Sequence, residues 1–270
     1  MISIVPSRPV SELLAAYCFG RVLAERFGTG LSCPALRGLI HDAEVAGPIR
    51  TGSVMRWMAN WPFEGGTGRR LEDAELQVAP TKELQLDGAG FQRWEFLGPV
   101  RERILGEWVR PCHSIPVRGE EEFAICLSAP KEQDVDIKSP DPDEKPVKSG
   151  CIGEAEIRRL TRVARGAKFV LVVAERDHPV VAAVADLKLP ILFAADWEQF
   201  LWIRSFSRVA ISQHATHWWG AFTGVAKEIY FPRTQKGPWS WPAAPLLVHE
   251  PWWHGIDLRV PGDTRFTYEW

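Results

Sequence analysis

The sequence predicts an α/β protein of two Rossmann-like lobes, and three observations carry that expectation. The chain opens on a short β-branched run at residues 2–5 that feeds an apolar pattern of helical period over residues 11–27. After Gly150, strand-like and helix-like segments alternate, as they do when helices cover both faces of a parallel sheet. Between the two halves, KEQDVDIKSPDPDEKPVKSG (131–150) is charged, holds three prolines and has almost no apolar residues, which is linker composition. The expected boundaries are therefore a first lobe at 1–130, an acidic proline-rich linker at 131–150 and a second lobe at 151–270 with a tryptophan-rich tail.

Length and composition fit that division. A chain of 270 residues exceeds one ordinary domain, and 46% hydrophobic with 24% charged residues is globular. A formal net charge of -2 gives no electrostatic reason to bind nucleic acid or an anionic membrane. The arginines of residues 158–165 recur at helical spacing and read as a solvated helix face. Cys18, Cys33, Cys112, Cys126 and Cys151 are odd in number and widely spaced, with no C-x-x-C, so reduced thiols are expected. No basic-then-apolar leader and no apolar run of about 20 residues occurs, so the expectation is a cytoplasmic protein without an integral membrane segment.

In chain order, Ser11 is the expected N-cap of the first helix and Gly28 its stop. Residues 29–80 read as irregular, and Gly65, Gly66 and Gly68 fit neither phosphate-loop spacing. Residues 98–108 read as a helix and 123–128 as the best strand of the first half. In the linker, Asp134–Asp136 and Asp141–Asp143 are each D-x-D, but neither follows a buried apolar strand, so no metal is expected there. Beyond it, 153–164 reads as helix, 168–174 as a buried strand, 187–194 as a second strand, 196–205 as a helix with Asp196 at its N-cap, and 208–212 as a third strand. In the tail, His249 and His254 flank Pro251 in H-E-P-W-W-H, which does not suit a helical zinc pair.

The stretch that organises the chemistry is SRVAISQHATHWWGAFTG, residues 207–224. It reads as strand, tight turn and helix, an arrangement that aims backbone N–H groups and a helix dipole at one spot and so favours an anion. Ser212, Gln213, His214, Thr216 and His217 stand at that junction.

This block resembles the signature of the family-11 glycosyltransferases, the bacterial α-1,2-fucosyltransferase type, which reads close to I-S-N-S-T-F-S-W-W-G-A. Ile211, Ser212, Trp218, Trp219, Gly220 and Ala221 match, whereas Gln213, His214, Ala215, Thr216 and His217 depart at the donor-contacting centre. AYCFGRVLAERFG (16–28) is similar to the family's first helix through Tyr17, Phe19, Gly20, Arg21, Leu23, Ala24, Glu25 and Gly28. Asp177 matches the second Asp of a family S-D-D, and Asp196 fits a later acidic position. Two family motifs are absent. The glycine-rich loop before the first helix is replaced by Arg8, Pro9, Val10, Ser11, Glu12 and Leu13, and the arginine motif H-x-R-R-x-D by Ala129 to Asp134. The chain thus resembles a divergent member.

The resemblance implies a GT-B-like arrangement, with a cleft between the lobes, the nucleotide-sugar donor on the second lobe and a glycan or small-molecule acceptor on the first. It implies metal-independent, inverting transfer of fucose or a related deoxysugar, with no cofactor and a nucleoside-diphosphate-sugar donor, which is GDP-linked in the fucosyltransferases. Donor contacts are expected at Ser212, Gln213, His214, Ala215, Thr216, His217 and Asp196. His214 and Asp177 are the candidate catalytic residues, with His217 and Glu12 as further candidate bases. Two alternatives stay open: a transferase with a different donor, and a catalytically degenerate relative that binds glycan or a protein partner. A serine-hydrolase elbow G-x-S-x-G and a dinucleotide G-x-G-x-x-G are both missing.

Overall fold

The computed structural model describes residues 1–6, 9–47, 55–58, 84–87, 97–127, 136–137, 147–148, 152–212, 214–233 and 254–257. Among them the chain divides between Ser114 and Ile115 into two compact units. Both are mixed α/β units with parallel strands, the Rossmann-like class expected.

The first unit carries β1 (Ile2–Ile4), α1 (Val10–Phe27), β2 (Leu31–Ser32), β3 (Glu44–Val45), β4 (Met55–Met58) and β5 (Leu84–Asp87). The sheet order is β3-β2-β1-β5-β4, parallel except for the β2–β3 pair. Short strands thus occupy part of the stretch that read as irregular. α1 begins after Pro9 rather than at Ser11, because proline is tolerated where an N–H would be unpaired anyway. It ends as expected: Gly28 adopts φ 55°, and the Thr29 N–H reaches the Ala24 carbonyl at 2.9 Å. Gly20 lets the helix lie close to the sheet, since a Cβ there would stand 2.8 Å from Leu31 Cδ1. The expected helix at 98–108 is a composite of Gly98–Val100, Arg101–Arg103 and a wider π turn, Ile104–Trp108. Its buried Trp108 lies under the Arg21 guanidinium, 5.4 Å from the ring centre.

The second unit carries β6 (Glu122–Cys126), the short antiparallel pair β7 (Asp136–Ile137) and β8 (Val147–Lys148), α2 (Glu154–Val163), β9 (Lys168–Val173), α3 (Pro179–Ala183), β10 (Ile191–Phe193), α4 (Asp196–Ser205), β11 (Arg208–Ile211), α5 (Ala215–Thr223), β12 (Glu228–Arg233) and β13 (His254–Asp257). Six of these strands form one sheet in the order β10-β9-β6-β11-β12-β13, parallel throughout. Numbered within the sheet, that order is 3-2-1-4-5-6, the doubly wound Rossmann order.

β6, read from sequence as the best strand of the first half, therefore lies near the middle of the second sheet. Phe123 to Cys126 pair with Phe169 to Val172 on one side and with Arg208 to Ile211 on the other. Segment 131–150 accordingly enters and leaves the same unit rather than joining two, and it contains the β7–β8 pair. Composition marked the segment as polar and proline-rich; it carried no information on which sheet its flanks would enter.

Strand residues alternate between two buried faces. Phe123, Ile125, Leu127, Phe169, Leu171 and Val173 pack with Ile157 and Leu160 of α2 and Val180 of α3. α4 and α5 pack against each other and α5 against β11 on the helical pair's side. There Phe200, Ile203, Trp218 and Trp219 are fully buried. Trp218 stacks on Phe222 at 4.5 Å and meets Trp219 edge-on at 5.3 Å, pairs worth about 0.5–1.5 kcal/mol each beyond burial.

Candidate functional site

In an open parallel sheet, ligands bind beyond the carboxyl ends of the strands, where the winding reverses. Here that point lies between β6 and β11. At the carboxyl end of β11 the chain passes through Ser212 and His214 into α5, the turn that stood out in the sequence.

Hydrogen bonds fix the turn. The Ser212 N–H and hydroxyl both donate to the Cys126 carbonyl, at 3.1 and 2.8 Å. The same hydroxyl accepts from the Ile152 N–H at 3.1 Å. Ser212 therefore joins the two strands of the switch point to the segment entering α2. The His214 N–H donates to the Ser212 carbonyl at 2.7 Å, and the first bond of α5 runs from the Trp218 N–H to the His214 carbonyl at 3.0 Å. The N–H groups of Ala215, Thr216 and His217 lie ahead of that bond and have no carbonyl to reach within the helix.

α5 differs from its neighbours at this end. Glu156 caps α2 through the Gly153 N–H, and Glu198 caps α4 through the Ala195 N–H. Both helices also carry further acids in their first turns, Glu154 and Asp196. The first turn of α5 has no acid and no side-chain cap. Asp196 is the first residue of α4, with Ala195 at the N-cap position expected for it. Its carboxylate Oδ1 accepts from Thr216 Oγ1 at 2.5 Å, which ties the two helix starts together.

His217 is 1% exposed, and its Nε2 stands 3.2 Å from Gln199 Oε1 of α4. Burial, with the nearby His214 second, holds its imidazole well below the usual histidine range, so it is neutral. The His214 and His217 rings lie 4.9 Å apart at 52°. His214 is the half-buried member of the pair, and Ser212, Thr216 and His217 are buried.

The sequence-predicted residues thus fall into three groups. Ser212, His214, Ala215, Thr216, His217 and Asp196 come together. Gln213 lies outside the described residues, as do Asp134, Asp141, Asp143, His249 and Pro251. Asp177 sits on the same carboxyl rim but in an exposed loop after β9, two strands from β11. Glu12 lies in the first turn of α1, in the first unit.

The expected division of labour changes. The hydroxyls of Ser212 and Thr216 are engaged by Cys126 and Asp196, and His217 by Gln199, so these side chains build the turn. What the turn presents is backbone N–H and the His214 imidazole. Gln199 was missed in sequence reading, although it lies three residues after Asp196 and so shares its helix face.

Cys18, Cys33, Cys112 and Cys126 are free, and burial pushes the Cys33 thiol up to about 11. No helix among the described residues is long and apolar enough to cross a membrane. Comparison with models of known protein families, with curated proteins and with solved structures finds no match to this chain.

Proposed function

We propose that the chain is a metal-independent, inverting glycosyltransferase. It would move a sugar, fucose or a related deoxysugar, from a nucleoside-diphosphate sugar to a hydroxyl of a glycan or small molecule. The observation that carries this reading is the first turn of α5, without an acid or a side-chain cap of its own, at the switch point of a 3-2-1-4-5-6 parallel sheet. A diphosphate placed there meets the N–H groups of Ala215, Thr216 and His217 and the positive end of the helix dipole, which offset the charge of the leaving group without a metal.

In this reading the two units are the lobes of a GT-B-type enzyme, with the donor on the second and the acceptor on the first. His214 is the candidate base, because it is the imidazole of the pair that is partly exposed. It takes the proton of the acceptor hydroxyl as that oxygen bonds to the anomeric carbon and the carbon–oxygen bond to the diphosphate breaks. Asp177, on the same rim, is the second candidate.

A second reading, a degenerate relative that binds glycan or a protein, is favoured by one observation: Ser212, Thr216 and His217 are all engaged within the protein. Thermal-shift measurements in EDTA with GDP, UDP, CDP, dTDP and their sugars separate the two. A shift specific to one nucleotide is the result expected of the transferase. Shifts with glycans alone support the binding protein.

A further inference from the structure

We infer that Phe193, at the carboxyl end of β10, is the stacking platform for the base of a nucleoside diphosphate whose phosphates lie at α5; the inference rests on the phosphate site proposed above. Four large hydrophobic side chains are well exposed among the described residues: Val117, Val163, Phe193 and Val225. Val117 precedes β6, Val163 ends α2 and Val225 precedes β12, so all three lie toward the amino ends of the strands. Phe193 alone is aromatic and stands on the carboxyl rim, paired with Val173 at the end of β9. It is 41% exposed, and it is not among the side chains that pack into the core beneath α2 and α3.

The ring has a charged companion. Arg176, in the exposed loop after β9, places its guanidinium 5.1 Å from the Phe193 ring centre. An aromatic face and a guanidinium plane are the two surfaces on which a base stacks without regard to its hydrogen-bonding pattern. The spacing also fits. β10 and β11 are separated by three strand intervals, about 14 Å at roughly 4.8 Å each. That distance suits an extended nucleoside diphosphate lying across the rim with its phosphates at Ala215 to His217.

The test is isothermal titration of GDP, UDP and inorganic pyrophosphate into wild type, Phe193→Ala and Phe193→Tyr, with circular dichroism to verify the fold of each. The expected result is that Phe193→Ala weakens the better nucleotide roughly ten- to a hundred-fold. Phe193→Tyr should restore it, and pyrophosphate should bind all three proteins alike. Nucleotide affinity unchanged in Phe193→Ala overturns the platform, as does wild type that binds pyrophosphate as tightly as either nucleotide; in both cases the phosphate site stands. Wild type that binds none of the three overturns the phosphate site and the platform together.

Discussion

The Ser212 hydroxyl donates to the Cys126 carbonyl at 2.8 Å while accepting the Ile152 N–H, so one side chain holds β6, β11 and the approach to α2 at the switch point. Ser212→Ala leaves the Cys126 carbonyl its bond from the Ser212 N–H, but it strands a buried N–H at Ile152. The expected loss of stability is about 1–3 kcal/mol, read by urea denaturation. An unchanged midpoint would show that water replaces the hydroxyl.

Gly220 sits where α4 and α5 touch. A Cβ there would stand 2.8 Å from both Cβ and Cγ2 of Ile203 and 3.3 Å from the Phe200 carbonyl. Alanine is favoured over glycine in a helix by about 1 kcal/mol, yet a β-branched partner cannot swing aside. Gly220→Ala is expected to destabilise by about 1–3 kcal/mol, and, because Ile203→Ala removes the Cγ2 clash, the double variant Gly220→Ala with Ile203→Ala should lose less than the sum of the two single losses. Denaturation of the single and double variants decides the sign.

His217 links stability to pH. Its folded-state pKa lies well below that of the unfolded chain, so the unfolded state binds the extra proton first. Its contribution is complete above about pH 6.5 and is lost as pH falls toward the folded value, with a slope of at most about 1.4 kcal/mol per pH unit. His217→Gln, which keeps a polar group beside Gln199, should flatten the fall between about pH 6.5 and 5. Parallel slopes for the two proteins over that window would show that other groups carry it.

The diphosphate site is tested on backbone and side chain separately. Ala215 is the first residue of α5, where proline is tolerated and removes one N–H. His214→Ala and Ala215→Pro are each expected to weaken the best nucleotide by about 1–2 kcal/mol. If His214 is the base, its removal should instead lower turnover by roughly two to four orders of magnitude with little change in binding. Equal affinity in titrations of all three proteins would place the diphosphate elsewhere.

Much of the second unit was legible because its signals are local. The apolar run at 168–173, the helix at 196–205 and the strand–turn–helix at 208–223 lie within a residue or so of their expected limits. Gly28 stopped α1 for a reason readable from one residue. The placement of β6 was not legible, since its partners are separated from it by dozens of residues and nothing in Phe-Ala-Ile-Cys names them. The strands at 31–32, 44–45, 55–58 and 84–87 are too short to show a period. At the site, sequence located the turn, but not that its hydroxyls face inward. Whether Thr216 meets a ligand or Asp196 depends on how α4 and α5 cross.

The strand order sets a timetable for folding. β6 is the first strand of its sheet to leave the ribosome and lies between β9 and β11, so it emerges with both hydrogen-bonding edges open and gains its second neighbour only once residue 211 has been made. Because distant pairings form slowly and leave apolar strands uncovered meanwhile, a nascent chain halted between β10 and β11 exposes one long edge of Phe123–Cys126 to any other chain nearby. Expression fragments ending before residue 208 should therefore collect in the insoluble fraction, while those that run on through β12 and β13 should not.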